Sequence, residues 1–301
     1  MKILITGATG LVGGELVKQC LAKNYTVHYL TTIKTKIVTE TNYKGFYWNP
    51  STQEIDENCI KGIDAIINLA GAPISKKWTT SHKKAIFNSR IDSIRLLHQL
   101  LSENKHTVKH LCSVSALGIY SSSLTKKYDE SEVEVSSSFL GEVVEAWEKA
   151  VDSIQSLDLK ITIIRIGIVL SKDGGALAEM TKPIKLGLGA SLGTGCQWQS
   201  WIHITDLANM FLFVLEQKLL GIYNAAASAP VTNSKMTEVI ARRLKKPFFL
   251  PNVPTFMLKL ILGEMSAIVL ESQFLKNDKI KKDGFVFEYD TIERAIKECL
   301  S

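Results

Sequence analysis

The apolar positions of this chain change their period in regular alternation. Ile3-Leu4-Ile5-Thr6 is a short apolar run of the kind a buried parallel strand carries, and it leads straight into Gly7, Gly10 and Gly13. From Leu11 the spacing turns helical, with Leu16, Val17, Cys20 and Leu21 on one stripe. Residues Thr26 to Thr32 predict a second strand, Phe46 to Trp48 a short third, and Ile55 to Ile60 a brief helix. A fourth strand runs from Asp64 to Gly71 and ends in small residues. A long helix follows from Thr79 to Leu101, then a fifth strand from Val108 to Ser115. Ser121 to Ser138 is polar and serine-rich, hence loop. A helix from Phe139 to Ile154 gathers Phe139, Val143, Trp147 and Ala150 on one face, and Lys160 to Leu170 is a β-branched sixth strand.

Strands alternating with helices through residue 170 predict an α/β fold, a Rossmann-type doubly wound parallel sheet. Beyond it the composition shifts. Glycines gather in Gly174-Gly175, Gly187-Leu-Gly189 and Gly193-Thr-Gly195, and a helix begins near Asp206 with Thr205 or Asp206 as its cap. Pro230, Pro247, Pro251 and Pro254 punctuate the remainder, which holds an apolar helix around Phe256 to Leu262 and a closing helix from Thr291. The expected division is a dinucleotide-binding domain over 1–172, with part of 200–225 returning to its sheet. A smaller, mostly helical region over 173–301 then covers the ligand edge.

Composition narrows the classes. With 46% hydrophobic and 22% charged residues the chain reads as an ordinary globular protein. A net charge of +6 suits an anionic ligand, but no basic run marks nucleic-acid or membrane binding. The five cysteines lie far apart, without metal or redox spacing. No charged leader or membrane-length apolar segment is present, so the expected setting is cytoplasmic, with reduced thiols.

The chemistry starts at Thr6-Gly7-Ala8-Thr9-Gly10-Leu11-Val12-Gly13. In a strand–turn–helix context Gly7 allows the tight turn, Gly10 lets backbone approach a pyrophosphate, and Gly13 lets the helix pack on the sheet. The helix N-terminus then offers free N–H groups to phosphate. At the end of the second strand an acid would hold the ribose hydroxyls of NAD; here stand Thr31, Thr32, Lys34 and Lys36, which favours NADP.

These segments resemble the extended short-chain dehydrogenase/reductase superfamily, the group of sugar-nucleotide epimerases and dehydratases. Within it they resemble an atypical epimerase-like branch with its own C-terminal domain. The phrases that carry the likeness run over nearly the whole chain: Asn68-Leu-Ala-Gly71, Lys77-Trp78, Ser89-Arg90, Ser115-Ala116 with Gly118 and Tyr120, Arg165-Ile-Gly-Ile-Val-Leu170, Gly174-Gly-Ala-Leu177, Gln197-Trp198, Ser200-Trp-Ile-His203 with Asp206, Pro230-Val231 and Leu262-Gly-Glu264. The resemblance implies a nicotinamide dinucleotide, NADP with NAD as the alternative. The residues to hold it are Gly7, Thr9, Gly10, Leu11, Val12, Gly13, Thr31, Thr32, Lys34, Leu69, Ala70, Gly71, Arg90, Ser113 and Val169, with no metal ligand. Arg90 takes the place of the superfamily's mid-helix Asn, near the cofactor; its other reading is a solvated helix residue. Thr32 replaces the branch's usual Arg, so a 2′-phosphate would depend on lysines, which act as point charges.

The superfamily's general acid/base is a Tyr with a Lys four residues later, which lowers the phenol's pKa toward a usable range. None of the eight tyrosines has that Lys, and the helix where the pair belongs begins Phe139-Leu-Gly-Glu-Val143. The remaining candidates are Ser115, to polarise a substrate oxygen, and Tyr120 or His203, to handle the proton. Each has a structural alternative: Ser115 bonding backbone, Tyr120 capping a sheet edge, His203 satisfied in a core. Two functions follow. One is an NAD(P)-dependent oxidoreductase or epimerase-like enzyme acting on a small polar substrate, a sugar nucleotide among the choices. The other is an NADP(H)-binding sensor without turnover. A monomer and a homodimer paired through the Phe139–Ala150 face are both compatible with the sequence.

Overall fold

The computed structural model describes all of residues 1–301. The apolar run at the N-terminus forms β1 (Lys2–Thr6), the middle of a nine-stranded sheet. From β1 the chain steps outward to β2 (Thr26–Thr31) and β3 (Tyr43–Asn49). It then returns to lay β4 (Ala65–Asn68) against the other side of β1, and β5 (His110–Ala116) and β6 (Lys160–Ile166) continue outward from there. All these pairings are parallel; only the two-residue strands Thr39–Glu40 and Glu54–Ile55 beside β3 run antiparallel. The winding therefore reverses between β1 and β4, where Thr6 and Asn68 are register partners. Open α/β sheets take ligands at such a point, outside the strands' carboxyl ends.

The helices form because their apolar stripes have a sheet face to cover. α1 (Leu11–Ala22) buries Leu16 and Cys20, and α2 (Thr80–Glu103) buries Ile94, Leu97 and Leu101. α3 (Phe139–Asp152) lies beside α2 and buries Gly141, Val143, Val144, Trp147 and Val151. On the Phe139–Ala150 face, Val143 and Trp147 are buried within the chain, and Phe139 and Ala150 are half-buried. No helix is long and apolar enough to cross a membrane.

The β-branched run from Lys160 to Leu170 is two strands, not one. β6 stops at Ile166, and β7 (Ile168–Ser171) pairs with β8 (Trp201–His203) in a small separate sheet. Gly167 makes the step: a Cβ there would lie 2.4 Å from the Ser200 carbonyl oxygen. α4 (Gly175–Lys185) follows β7, α5 (Ile204–Glu216) packs beside α1, and β9 (Gly221–Ala225) joins the main sheet as its edge strand against β6. That edge is closed by side chains. Glu130 accepts from the Asn224 N–H at 2.8 Å, and the Lys279 ammonium donates to the Ile222 carbonyl at 2.7 Å.

α6 (Asn233–Arg243), α7 (Thr255–Leu262) and the closing helix Ile292–Cys299 lie in the C-terminal region. Met236 and Ile240 meet Ile296, Leu170, Leu177 and Trp201 in a second core. Two local expectations change. Neither Thr205 nor Asp206 caps α5; His203 does, its ring accepting from the Thr205 N–H. Ile55 belongs to a strand, and only Glu57–Ile60 turns, as a 3-10 helix capped by Asp56. The serine-rich loop is also tied down, through Lys127–Tyr128 paired with Phe274–Leu275 and a 2.7 Å bond from the Ser123 N–H to the Ser272 carbonyl.

Candidate dinucleotide and substrate site

The turn after β1 is shaped as only glycine permits. Gly7 has φ +69°, and a Cβ on Gly13 would stand 2.2 Å from the Gly7 carbonyl oxygen and 2.6 Å from the Ala8 Cα. α1 therefore starts pressed against the strand end. Its N-cap, Gly10, has no side-chain cap bond, and its first turn holds no acid. Thr9 and Gly10 are exposed, with Leu11 and Val12 half-buried behind them. The result is an uncapped helix N-terminus with a clear backbone approach, a cradle for phosphate oxygens that a single Cβ would fill. The residues present fit a dinucleotide's pyrophosphate.

Across the switch point the rim is held by hydroxyls. Thr6 Oγ1 donates to Asn68 Oδ1 at 2.7 Å and accepts the N–H groups of Leu69 and Ala70 at 3.0 Å each. Ser89 Oγ accepts from the Ala72 N–H at 2.8 Å, so the segment Leu69–Ala72 is pinned at both ends. Gly71 is exposed between them. Ser113, expected among cofactor contacts, is fully buried, taking a 3.3 Å bond from Asn68 Nδ2; it supports the rim from behind. Thr31 is buried too, its hydroxyl accepting from the Ile33 N–H, while Thr32 and Lys34 are exposed at the end of β2. Val169 on β7 is half-buried.

Arg90 settles against this rim. Its guanidinium carbon lies 3.2 Å from where a Gly71 Cβ would be and 5.0 Å over the Trp147 ring, and Nη1 donates to the carbonyls of Ile86 and Ala72. No carboxylate pairs with it, and burial pushes its pKa down to about 10. It is a half-buried cation with donors to spare at the edge of the glycine turn's groove.

Beyond Arg90 the three catalytic candidates separate. Ser115, at the end of β5, and Arg165 on β6 are register partners, and Glu148 of α3 reaches both. Ser115 Oγ donates to Glu148 Oε1 at 2.5 Å; Arg165 grips the same carboxylate through Nε at 2.9 Å and Nη2 at 2.7 Å. Arg165 Nη1 donates to the Tyr120 hydroxyl at 2.9 Å, which donates to Asn224 Oδ1 at 2.8 Å. Burial works against the Arg165 charge, but Glu148 and Tyr120 outweigh it and hold the guanidinium protonated. Tyr120 is 0% exposed, and burial pushes its phenol up to about 12, against the opposing pull of Arg165. The structure thus brings Ser115 and Tyr120 into one buried network, Ser115 at 1% exposure and Tyr120 at 0%, with Tyr120 protonated inside it.

His203 is outside that network. Its ring caps α5 and lies tilted by 35° against Tyr289 at 3.9 Å between centroids, and burial lowers its pKa against the pull of Glu298, Glu288 and Glu15. The nearby Asp206 is a clamp: it accepts the N–H groups of Glu288 and Tyr289. Sequence reasoning missed Glu148. A signal existed, since Arg165 is a lone charge inside an apolar β-branched strand and such a residue needs a buried partner. No group of three acidic, His or Cys side chains could hold a metal ion.

A doubly wound parallel sheet with a glycine-lined, uncapped helix at its switch point defines a dinucleotide-binding protein of the Rossmann type. The chain belongs to the NAD dependent epimerase/dehydratase family, whose pattern it matches over residues 3–226; residues 253–299 match a domain of unknown function (DUF1731). It is 37% identical over 306 residues to the epimerase family protein SDR39U1 homolog, chloroplastic, of Arabidopsis thaliana, covering 100% of this chain and 87% of that protein. An epimerase family protein of Staphylococcus saprophyticus is 36% identical over 298 residues, with 99% and 98% covered. Among solved structures, human epimerase family protein SDR39U1 with NADPH superposes with a TM-score of 0.86 at 26% identity, covering 100% of this chain and 99% of that one. A UDP-galactose 4-epimerase shares the fold, with a TM-score of 0.76 at 14% identity.

Proposed function

We propose that this chain binds NADP(H) and transfers hydride between its nicotinamide and the alcohol or carbonyl carbon of a small polar substrate, with sugar nucleotides the first class to try. The observation that carries the reading is the glycine cradle at the uncapped N-terminus of α1, with the unpaired cation Arg90 across the same groove. The pyrophosphate would lie on the backbone of Gly10, Leu11 and Val12. Leu69, Ala70, Gly71 and Val169 would line the groove by shape, and Arg90 would supply charge to a cofactor oxygen. Thr32 and Lys34, exposed at the end of β2, would meet the 2′-phosphate; the NADPH bound by the human relative supports this cofactor over NAD. When bound, the cofactor supplies the hydride chemistry. Ser115 is the residue proposed to meet the substrate oxygen, and the substrate's O–H proton would pass through it to the Glu148 carboxylate, while Tyr120 holds Arg165 in place and His203 positions α5.

The test is a turnover screen. Purified protein with NADP⁺ is offered sugar nucleotides, UDP-glucose and UDP-galactose among them, and simple polyols; NADPH is offered with ketoses. Substrate-dependent change in nicotinamide absorbance supports the reading, and its absence throughout the panel contradicts it.

One observation favours the sensor reading instead. No tyrosine has a lysine four residues on, and α3, where the resemblance puts the pair, begins at Phe139 and buries Val143. A sensor would bind NADPH and NADP⁺ with clearly different affinities and show no turnover in the same screen.

A further inference from the structure

The hydrogen bonds around Glu148 fix the direction of the Ser115 and Tyr120 hydroxyls. The Arg165 guanidinium carries only donors, so its bidentate grip makes both Glu148 oxygens acceptors. Tyr120 accepts from Arg165 and must therefore donate to Asn224, whose amide in turn donates to the Lys276 carbonyl at 3.1 Å. Ser115 meets the carboxylate at 2.5 Å, and that contact can only be Ser115 donating. No donor of the chain reaches the Ser115 lone pairs. Ser115 is the last buried residue of its strand before Ala116 and Leu117 come half to the surface at the sheet's carboxyl end.

We propose that Glu148, held by Arg165, is a positioning residue that fixes Ser115 as a hydrogen-bond acceptor, so that the site selects a substrate hydroxyl and not a substrate carbonyl. This rests on the hydride-transfer reading above and reverses the role usually given to a serine at a strand end. To polarise a carbonyl, Ser115 would have to withdraw its only proton from a charged carboxylate, which costs more than a neutral bond to a ketone returns. Accepting from an O–H leaves every bond in the network intact. Given access to Ser115, which is 1% exposed, the alcohol is the form of the substrate that its lone pairs accept.

Glu148→Gln inverts the geometry with almost no change of shape. With the new NH₂ at the Oε1 place, Arg165 keeps its Nη2 bond to the remaining oxygen and loses the Nε one, and the serine proton turns toward the ligand. With UDP-glucose as the probe alcohol and NADP⁺ bound, Ser115→Ala and Glu148→Gln are each expected to raise KM about tenfold with kcat changed much less. The double variant is no worse than either single one, and NADPH affinity stays at the wild-type value in all three. Ser115→Ala leaves the Glu148–Arg165 pair whole, so the test survives if Glu148→Gln fails to fold. An independent readout needs no turnover: in protein with isotope-labelled glutamate carboxyls, the NMR signal that vanishes in Glu148→Gln shifts in Ser115→Ala. An unshifted signal overturns the proposal, and so does an unchanged KM in Ser115→Ala. If the wild type converts no alcohol, the hydride-transfer reading falls, and the carboxyl signal alone decides how Ser115 is held.

Discussion

Thr6 of β1 and Asn68 of β4 are joined by a 2.7 Å side-chain bond across the point where the sheet's winding reverses. The same Thr6 oxygen takes the N–H groups of Leu69 and Ala70, so one hydroxyl sets both the strand junction and the groove's rim. Thr6→Val is expected to leave two part-buried N–H groups without their acceptor. It should cost about 1–3 kcal/mol of stability and weaken NADPH binding, whereas Thr6→Ser restores both. Urea unfolding and nicotinamide fluorescence on the two variants check this.

Gly13 and Gly14 are neighbours with opposite demands. A Cβ on Gly13 runs into the backbone of Gly7 and Ala8, while one on Gly14 meets nothing within 4 Å. Gly13→Ala should destabilise by about 1–3 kcal/mol and abolish tight cofactor binding, because α1 must move off the turn. Gly14→Ala should stabilise by up to about 1 kcal/mol through helix propensity and leave binding alone. Thermal melts with and without NADPH separate the two.

Arg90 gives a split in sign. Its buried charge has no acidic partner in the chain, so Arg90→Met, which keeps the stem over Trp147, should leave the apo protein as stable or more so. The same change should weaken NADPH binding about tenfold or more. A loss of apo stability with unchanged affinity would assign Arg90 to the fold instead.

Acid sensitivity follows from buried histidines. Burial lowers the pKa of His110 to about 4, with Lys160 adding to it, while its Nε2 lies 2.8 Å from Thr162 Oγ1. A folded-state pKa below the unfolded value of about 6.5 means the unfolded chain binds the proton first. The neutral His110 therefore contributes stability above that value, and the contribution is lost as pH falls from about 6.5 toward 4. His110→Gln, which retains a donor for Thr162, should flatten the fall in urea midpoint across that window.

Legibility in the sequence tracked how local each feature is. The first strand, the glycine turn and α1 lie within a few residues of one another, and the doubly wound sheet was readable from the alternation they begin. The break at Gly167 was not, because Ile161 to Leu170 is one β-branched run and only the tertiary approach of Ser200 divides it. His203 as a helix cap was unreadable for a different reason: an imidazole is an uncommon acceptor there, and Thr205 and Asp206 offered commoner ones. The Ser115–Glu148–Arg165 cluster joins residues from a strand, a helix and a neighbouring strand, so no spacing rule could assemble it, although the charge of Arg165 in an apolar strand pointed to a missing partner.

The turn at Gly7–Gly13 is built as a live NADP(H) site. Titrating the purified protein with NADPH and with NADH, following nicotinamide fluorescence, tests it directly. Saturable binding is expected, with NADPH clearly tighter than NADH and that preference lost in Lys34→Ala. If neither dinucleotide binds, the turn is not a cofactor site, and the enzyme and sensor readings fall together.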